Sequence, residues 1–150
     1  MHKSRIRTLQ AILAGTCIGV SPAGVVVHGE FEAVHQAGRI RNPSRRRILQ
    51  VLHSARALDS GLKAFVQHHR CQEPGKPPPN AMGGYLHALQ KHRIAGLGQI
   101  TGTQRSHFQA AIVSKRNTFL HEAGMYPANE VEVETLVSEM HVCPATVVAL

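Results

Sequence analysis

The sequence of 150 residues contains no tryptophan and only six other aromatic residues, four Phe and two Tyr. Its core must therefore be built from Leu, Ile, Val, Ala and Met, which suits packed helices better than a sheet sandwich. The hydrophobic fraction of 43% is ordinary for a globular domain. No apolar run is long enough to span a membrane. We therefore expect an all-α protein without a membrane-spanning helix.

Cysteine is also scarce, and Cys17, Cys71 and Cys143 form no CxxC pair. An odd number of thiols argues against a secreted, disulfide-stapled scaffold and favours a reducing compartment, so we expect a cytoplasmic protein. His68 and His69 lie close to Cys71, but their spacing is not typical of a zinc site, and neighbouring histidines point to different sides of a helix. Histidines on solvated faces explain this cluster better, so we expect no metal and no cofactor.

Acidic residues are few, at nine against 17 Lys and Arg, and the charge is unevenly distributed. Residues 1–116 hold all 17 basic residues and four acids, a formal charge of +13, whereas residues 117–150 hold five acids and no Lys or Arg, a charge of −5, which together give the net +8. A basic body attracts polyanions, most simply nucleic acid, although a solvated surface explains it equally well. The acidic end could also pack against the basic body of the same chain or of a partner.

Residues 1–42 form a poorly defined N-terminal segment with room for short helices. Residues 5–14 and residues 31–38 have helical patterns, and residues 25–27 are a candidate brief strand. A helical domain is expected over residues 43–150.

The strongest helix signal begins at Asn42, an N-cap residue that is followed by Pro43 at the first helical position. Apolar residues then recur at steps of three and four for about seven turns, until the helix ends near Cys71. The proline-rich residues 72–80 form a connector, with a docking tail for a proline-reading module as the alternative.

Further helices are predicted over residues 81–95 and 103–123, the latter stopped by Gly124. Asn129 and Glu132 have the spacing of a capping box for a last helix, which Pro144 should bend or interrupt. The predicted architecture is therefore an up-and-down bundle of four to five helices.

On the helix over residues 103–123, Arg116 falls inside an apolar arc, four residues after Ile112. The arc also contains Phe108, Ala111, Phe119, Leu120 and Ala123. A guanidinium in an apolar stripe needs a partner, a ligand or an interface. Alternatively, Arg116 lies at the edge of the stripe and extends into solvent.

Asn117 and His121 have an i, i+4 spacing, so the amide can orient the imidazole. Arg116 and His121 are about 140° apart around the helix, so one helix cannot easily direct both at one small target. A two-fold axis beside this helix would bring two copies of each residue around one cleft.

The segment SKRNTFLHEAG, residues 114–124, resembles the signature of the HEPN superfamily (higher eukaryotes and prokaryotes nucleotide-binding). In that signature an arginine is followed by a polar residue, often Asn, and after a short spacer by a histidine, which here are Arg116, Asn117 and His121. The resemblance covers roughly residues 43–150, with the motif on the penultimate long helix of a bundle. It implies a HEPN-like fold and a metal-independent endoribonuclease that cleaves single-stranded RNA as a homodimer.

In such an enzyme the 2′-hydroxyl of the RNA is the nucleophile and His121 is the general base or acid. Arg116 would stabilise charge on the phosphate, and Asn117 would position the phosphate or the imidazole. Basic residues outside the motif would bind RNA, namely Arg45, Arg46, Arg47 and Lys115. The arginine run has a second explanation as a solvated helix start.

The resemblance also suggests a toxin or an antiphage defence effector, with an antitoxin or regulatory protein as a further partner. Some family members carry a tyrosine two residues after the histidine, associated with antitoxin control, but this chain has Ala123 there and its nearest tyrosine is Tyr126. Other HEPN domains only bind or scaffold. The alternative is therefore a catalytically silent helical module that dimerises and binds nucleic acid or a protein partner.

Overall fold

The computed structural model describes residues 11–94 and 98–149, and most of these are helical. The helices are α1 (Pro22–Ala37), α2 (Pro43–His68), α3 (Met82–Lys91), α4 (Gly102–Phe108), α5 (Lys115–His121) and α6 (Glu130–Val148), and a π-helix (Gln109–Ser114) joins α4 to α5. Residues 11–14 are also helical, whereas the rest of the helix expected over residues 5–14 lies outside the described residues. Within the described ranges there is no strand, only an isolated antiparallel bridge between Ile94 and Gly98. The all-α prediction is confirmed.

The longest helix, α2, begins as predicted, because the Asn42 side chain accepts a hydrogen bond from the Arg45 backbone N–H at 2.9 Å. Its 26 residues span about 39 Å and pack against α1, α3, α5 and α6. It ends at His68, three residues before Cys71. Among the described residues, none of the helices is both long and apolar enough to cross a bilayer.

The strand considered at residues 25–27 is wrong, because these residues lie inside α1. This helix buries Val27, Phe31 and Val34, whose spacing of four and three residues places them on one face. They join the same apolar cluster as the buried residues of α2, α3, α4 and α6, so the apolar core includes residues on both sides of residue 42.

The segment over residues 103–123 departs from a regular α-helix in two ways. The π-helix interrupts it, and α5 ends at His121, so that Ala123 is exposed instead of completing the apolar arc. The cause of the early end is local, because Glu122 has an extended backbone and Gly124 turns the chain with a φ of 77°.

The interruption considered at Pro144 is wrong, because α6 continues through this residue to Val148. Proline removes one backbone donor, but Pro144 is buried, with Cys143 and Val147 buried beside it. We infer that this burial offsets the lost hydrogen bond.

The beginnings of α2 and α6 are joined by a small ionic network. Glu130 Oε1 lies 2.6 Å from Arg46 Nη2 and 3.1 Å from Arg47 Nε, and Arg47 Nη1 also donates to the Ala128 carbonyl at 3.1 Å. The hydrogen bond from Arg46, with further help from Arg47, holds the pKa of Glu130 below its ordinary value. Part of the acidic C-terminal end therefore packs against the basic body of the same chain.

Phe31→Ala should lower the free energy of unfolding by about 3–5 kcal/mol, because it leaves a cavity where the N-terminal segment joins the core. Val25→Ala is the matched control on the exposed side of α1 and should change it by no more than about 0.5 kcal/mol. Urea denaturation followed by circular dichroism measures both. Equal stabilities of the two variants would show that α1 does not belong to the core.

Glu130→Gln should lower the free energy of unfolding at pH 7 by about 1 kcal/mol, because it removes the carboxylate that two arginines share at a half-exposed position. The folded pKa of Glu130 lies below its unfolded value, so this stabilisation is present above the unfolded pKa of about 4.3 and is lost as the pH falls through the folded one. The difference from wild type should therefore shrink on acidification. Glu122→Gln, at an exposed acid outside the network, should show no such difference at any pH.

Candidate functional site

The motif residues occupy two faces of α5, a helix with no fully buried residue. Arg116 and Leu120, one turn apart, are half-buried and line a cavity. Asn117 and His121 lie about 100° further around the helix and are exposed. The structure therefore does not bring Arg116 and His121 to one point of a single chain.

The cavity beneath α5 has a volume of about 420 Å³ and is bounded by α1, α2, α5 and the residues that lead into α3. Its polar lining comprises Glu30 on α1, Arg56, Asp59 and Ser60 on α2, Asn80 before α3, and Arg116. Two carboxyl groups and two guanidinium groups thus face one space. Such a lining suits a ligand with both charged and polar groups.

Arg116 reaches this space from α5. Its Nε atom is buried, and no hydrogen-bond partner for it occurs in the described part of the chain. The positive charge of Arg116 acts on the carboxyl group of Asp59, but no ion pair within 4.0 Å joins the two among the described residues. A buried guanidinium nitrogen without a partner is costly, so this position favours a bound water or ligand.

Two opposing effects act on the pKa of the Asp59 carboxyl group. Burial raises the pKa of its carboxyl above the ordinary value, and the positive charges of Arg116 and Lys63 offset part of that rise. Asp59 is also the single aspartate of the sequence. A carboxyl group with a raised pKa beside a guanidinium is a common arrangement in functional sites.

Glu30 is the buried acid of the cavity, with 8% of its surface exposed. Its carboxylate lies 2.6 Å from His53 Nδ1 and 2.8 Å from Arg56 Nε, so it is satisfied by two side chains of α2. These two contacts hold α1 against α2 beside the cavity. Asp59 and Arg116 are then the charged groups of the cavity without a close ion-pair partner among the described residues.

The remaining predicted residues are dispersed. Arg46 and Arg47 bind Glu130, whereas Arg45 and Lys115 are exposed. Arg45 precedes Asp59 by fourteen residues of α2, about 21 Å along the helix axis. Within the described residues, no hydrogen bond joins the Asn117 amide to the His121 imidazole, so their expected coupling is not formed in the single chain.

Three charged residues of the cavity were not predicted as site residues, namely Glu30, Arg56 and Asp59. A signal was available for Asp59, which directly follows Leu58 of the buried stripe and is three residues before Leu62. An acid at the edge of such a stripe needs a cation or a cavity, as Arg116 does on its own helix.

A second polar cluster lies at the C-terminal end of α2. Ligand-type atoms of Cys17, His68 and His69 all lie within 4.8 Å of one another, and the Cys17 Sγ and His69 Nε2 atoms are 4.0 Å apart. The expectation that the two histidines diverge is wrong, because α2 ends at His68 and His69 adopts a non-helical cap conformation. Burial raises the pKa of the Cys17 thiol, which is the opposite of what activates a cysteine nucleophile.

No protein-family model, no curated protein and no solved structure matches this chain. The functional interpretation therefore depends on the residues themselves, and the HEPN resemblance stays a prediction.

Arg116→Met should raise the pKa of Asp59, because it removes the nearest stabilising positive charge while keeping much of the side-chain volume. Since Asp59 is the single aspartate, ¹³C labelling of aspartate gives one carboxyl resonance whose pH titration reports on it alone. Wild type should titrate above the ordinary value of about 3.9, and the variant higher still.

Lys115→Met is the matched control, because it removes the same charge from the adjacent, exposed residue. It should leave the Asp59 titration close to that of wild type. Equal midpoints in Arg116→Met and Lys115→Met would contradict the placement of Arg116 beside Asp59.

Proposed function

We propose that this chain is a metal-independent endoribonuclease of the HEPN type that cleaves single-stranded RNA as a homodimer. The observation that carries the proposal is the arrangement of α5. Arg116 presents to a cavity a guanidinium whose Nε has no hydrogen-bond partner among the described residues, while Asn117 and His121 of the same short helix are exposed to an incoming chain or strand.

The chemistry follows from what RNA carries and what these side chains supply. His121 of one chain takes the proton of the 2′-hydroxyl as O2′ bonds to phosphorus, and the bond from phosphorus to O5′ breaks. A water molecule donates a proton to the departing O5′ and is restored by the proton that His121 took up. Arg116 stabilises the charge on the phosphate oxygens, and Asn117 positions the phosphate or the imidazole. The products are a 2′,3′-cyclic phosphate and a 5′-hydroxyl, and no metal-bound water is needed.

A second copy of the chain supplies the geometry that one helix lacks. Because Arg116 and His121 are about 140° apart on α5, a two-fold axis beside α5 is the simplest way to place both types of residue in one cleft. The exposed Met125 and Tyr126, in the turn after α5, offer apolar surface that a second copy could cover.

Within this proposal, RNA outside the cleft contacts Lys115 and Arg45, which are exposed. Arg46 and Arg47 contribute less, since their guanidinium groups hold Glu130. A ribonuclease of this kind needs restraint in its cell, which suits a toxin with an antitoxin or an antiphage defence effector with a regulatory protein.

A specific observation favours a second candidate, a catalytically silent helical module that dimerises and binds nucleic acid or a protein partner. Within one chain Arg116 lines the cavity that holds Asp59, and among the described residues no hydrogen bond joins Asn117 to His121. If Arg116 serves only this cavity, the residues needed for cleavage do not act together and the exposed face of α5 is a binding surface.

Incubation with labelled single-stranded RNA in EDTA separates the two candidates. The enzyme should release products with a cyclic phosphate, and His121→Ala and Arg116→Ala should each slow cleavage by about 10²–10⁴-fold. His87→Ala, another exposed histidine, is the matched control and should keep the wild-type rate. Binding without cleavage by the wild type would establish the silent module, and cleavage that survives both substitutions would reject the assigned site.

A mixture of the two inactive variants tests the shared cleft. If each site takes Arg116 from one chain and His121 from the other, an exchanged dimer of Arg116→Ala with His121→Ala contains one intact site. In an equimolar, fully exchanged mixture about half of the dimers are mixed, and each mixed dimer has one intact site where the wild type has two. The mixture should therefore regain about a quarter of the wild-type rate. No recovery, despite dimers detected by sedimentation, would place both residues in a site of one chain.

A further inference from the structure

We propose that Cys17, His68 and His69 form a binding site for one Zn²⁺ ion, distant from the motif helix and independent of the proposed ribonuclease activity. The three side chains come from two parts of the chain, the turn before α1 and the end of α2, which are 51 and 52 residues apart in sequence. Their ligand atoms already lie within 4.8 Å of one another.

The distances are close to those that a zinc ion requires. With bonds of about 2.3 Å to sulfur and about 2.0–2.1 Å to nitrogen, tetrahedral coordination places neighbouring ligand atoms about 3.3–3.6 Å apart. The Cys17 Sγ and His69 Nε2 atoms are 4.0 Å apart, so a contraction of a few tenths of an ångström brings this pair to bonding geometry. The exposed His68 can complete the set by rotation of its side chain.

The donor set selects the class of ion. One sulfur and two imidazole nitrogens suit Zn²⁺ and related soft or borderline ions, whereas Mg²⁺ and Ca²⁺ require oxygen donors that this cluster does not provide. On binding, the Cys17 thiol loses its proton and becomes a thiolate. Three protein ligands leave a fourth position for water or an external donor.

The surroundings hold two of the three ligands in place. The turn that carries Cys17 is fixed by the Thr16 hydroxyl, which donates to the Leu13 carbonyl at 2.6 Å and accepts from the Ile18 N–H at 3.2 Å. The ring of His69 packs on Phe65 at a centroid distance of 4.5 Å. An ion bound here would tie the N-terminal turn to the end of α2 and stabilise their contact.

Cobalt(II) titration of the full chain, stripped with EDTA and kept reduced with a phosphine, tests the site. One Co²⁺ per chain should bind with a thiolate-to-cobalt charge-transfer band in the near ultraviolet, and Zn²⁺ should displace it. Cys17→Ser should abolish the band. His68→Ala and His69→Ala should each weaken Co²⁺ binding by at least about tenfold. The removal of a residue that only supports a metal ligand already causes a loss of about that size.

Cys71→Ser and His87→Ala are the matched controls and should bind Co²⁺ as wild type does, with folding of every variant checked by circular dichroism. Zn²⁺ should also raise the melting temperature of wild type but not of Cys17→Ser. Absence of stoichiometric binding, or a charge-transfer band that persists in Cys17→Ser and disappears in Cys71→Ser, would overturn the assignment. These readouts do not involve RNA, so a failed zinc site and a failed ribonuclease proposal remain distinguishable.

Discussion

The fold depends on burial of the apolar stripe that runs along α2, which no single neighbouring helix can cover. Four helices, α1, α3, α5 and α6, pack around it. Three polar side chains of α2 belong to the clusters described above. Arg46 lies near the first turn, Asp59 beside the central cavity and His68 in the last turn. One helix thus contributes to these three clusters, and the spacing between them is set by its rise per residue.

Local signals were sufficient to predict α2 and the start of α6, because Asn42 and Asn129 each cap a helix through contacts three residues away. The same reasoning failed for α1, where three consecutive valines suggest a strand but Val27 and Phe31 are placed on one helical face by contact with α2. Tertiary burial overrode a local preference there. The approach of Cys17 to His69 crosses 52 residues, and no local pattern encodes such a contact.

The residues of the candidate site that lie on α5 could be predicted from the sequence, but those that other helices contribute could not. The apolar arc with Arg116 as its charged member could be predicted from residue spacing, and Arg116 is indeed half-buried. Its neighbour Asp59 comes from a different helix, and the π-helix that precedes α5 has no simple sequence signature. That π-helix buries Ile112 and Val113 before α5 begins, so it sets which face of α5 meets the cavity.

The number of Lys and Arg residues overstates the positive charge of the surface, because the acidic end of the chain neutralises part of that charge within the fold. Glu130 engages Arg46 and Arg47, two of the basic residues in that count. The exposed cations selected from the sequence are therefore Arg45 at the start of α2 and Lys115 at the start of α5. Arg45 is about 21 Å along α2 from the part of this helix that lines the cavity. A small anion therefore cannot contact both Arg45 and the cavity. A flexible polyanion can, and this separation favours a strand of RNA over a mononucleotide as the ligand of the proposed enzyme.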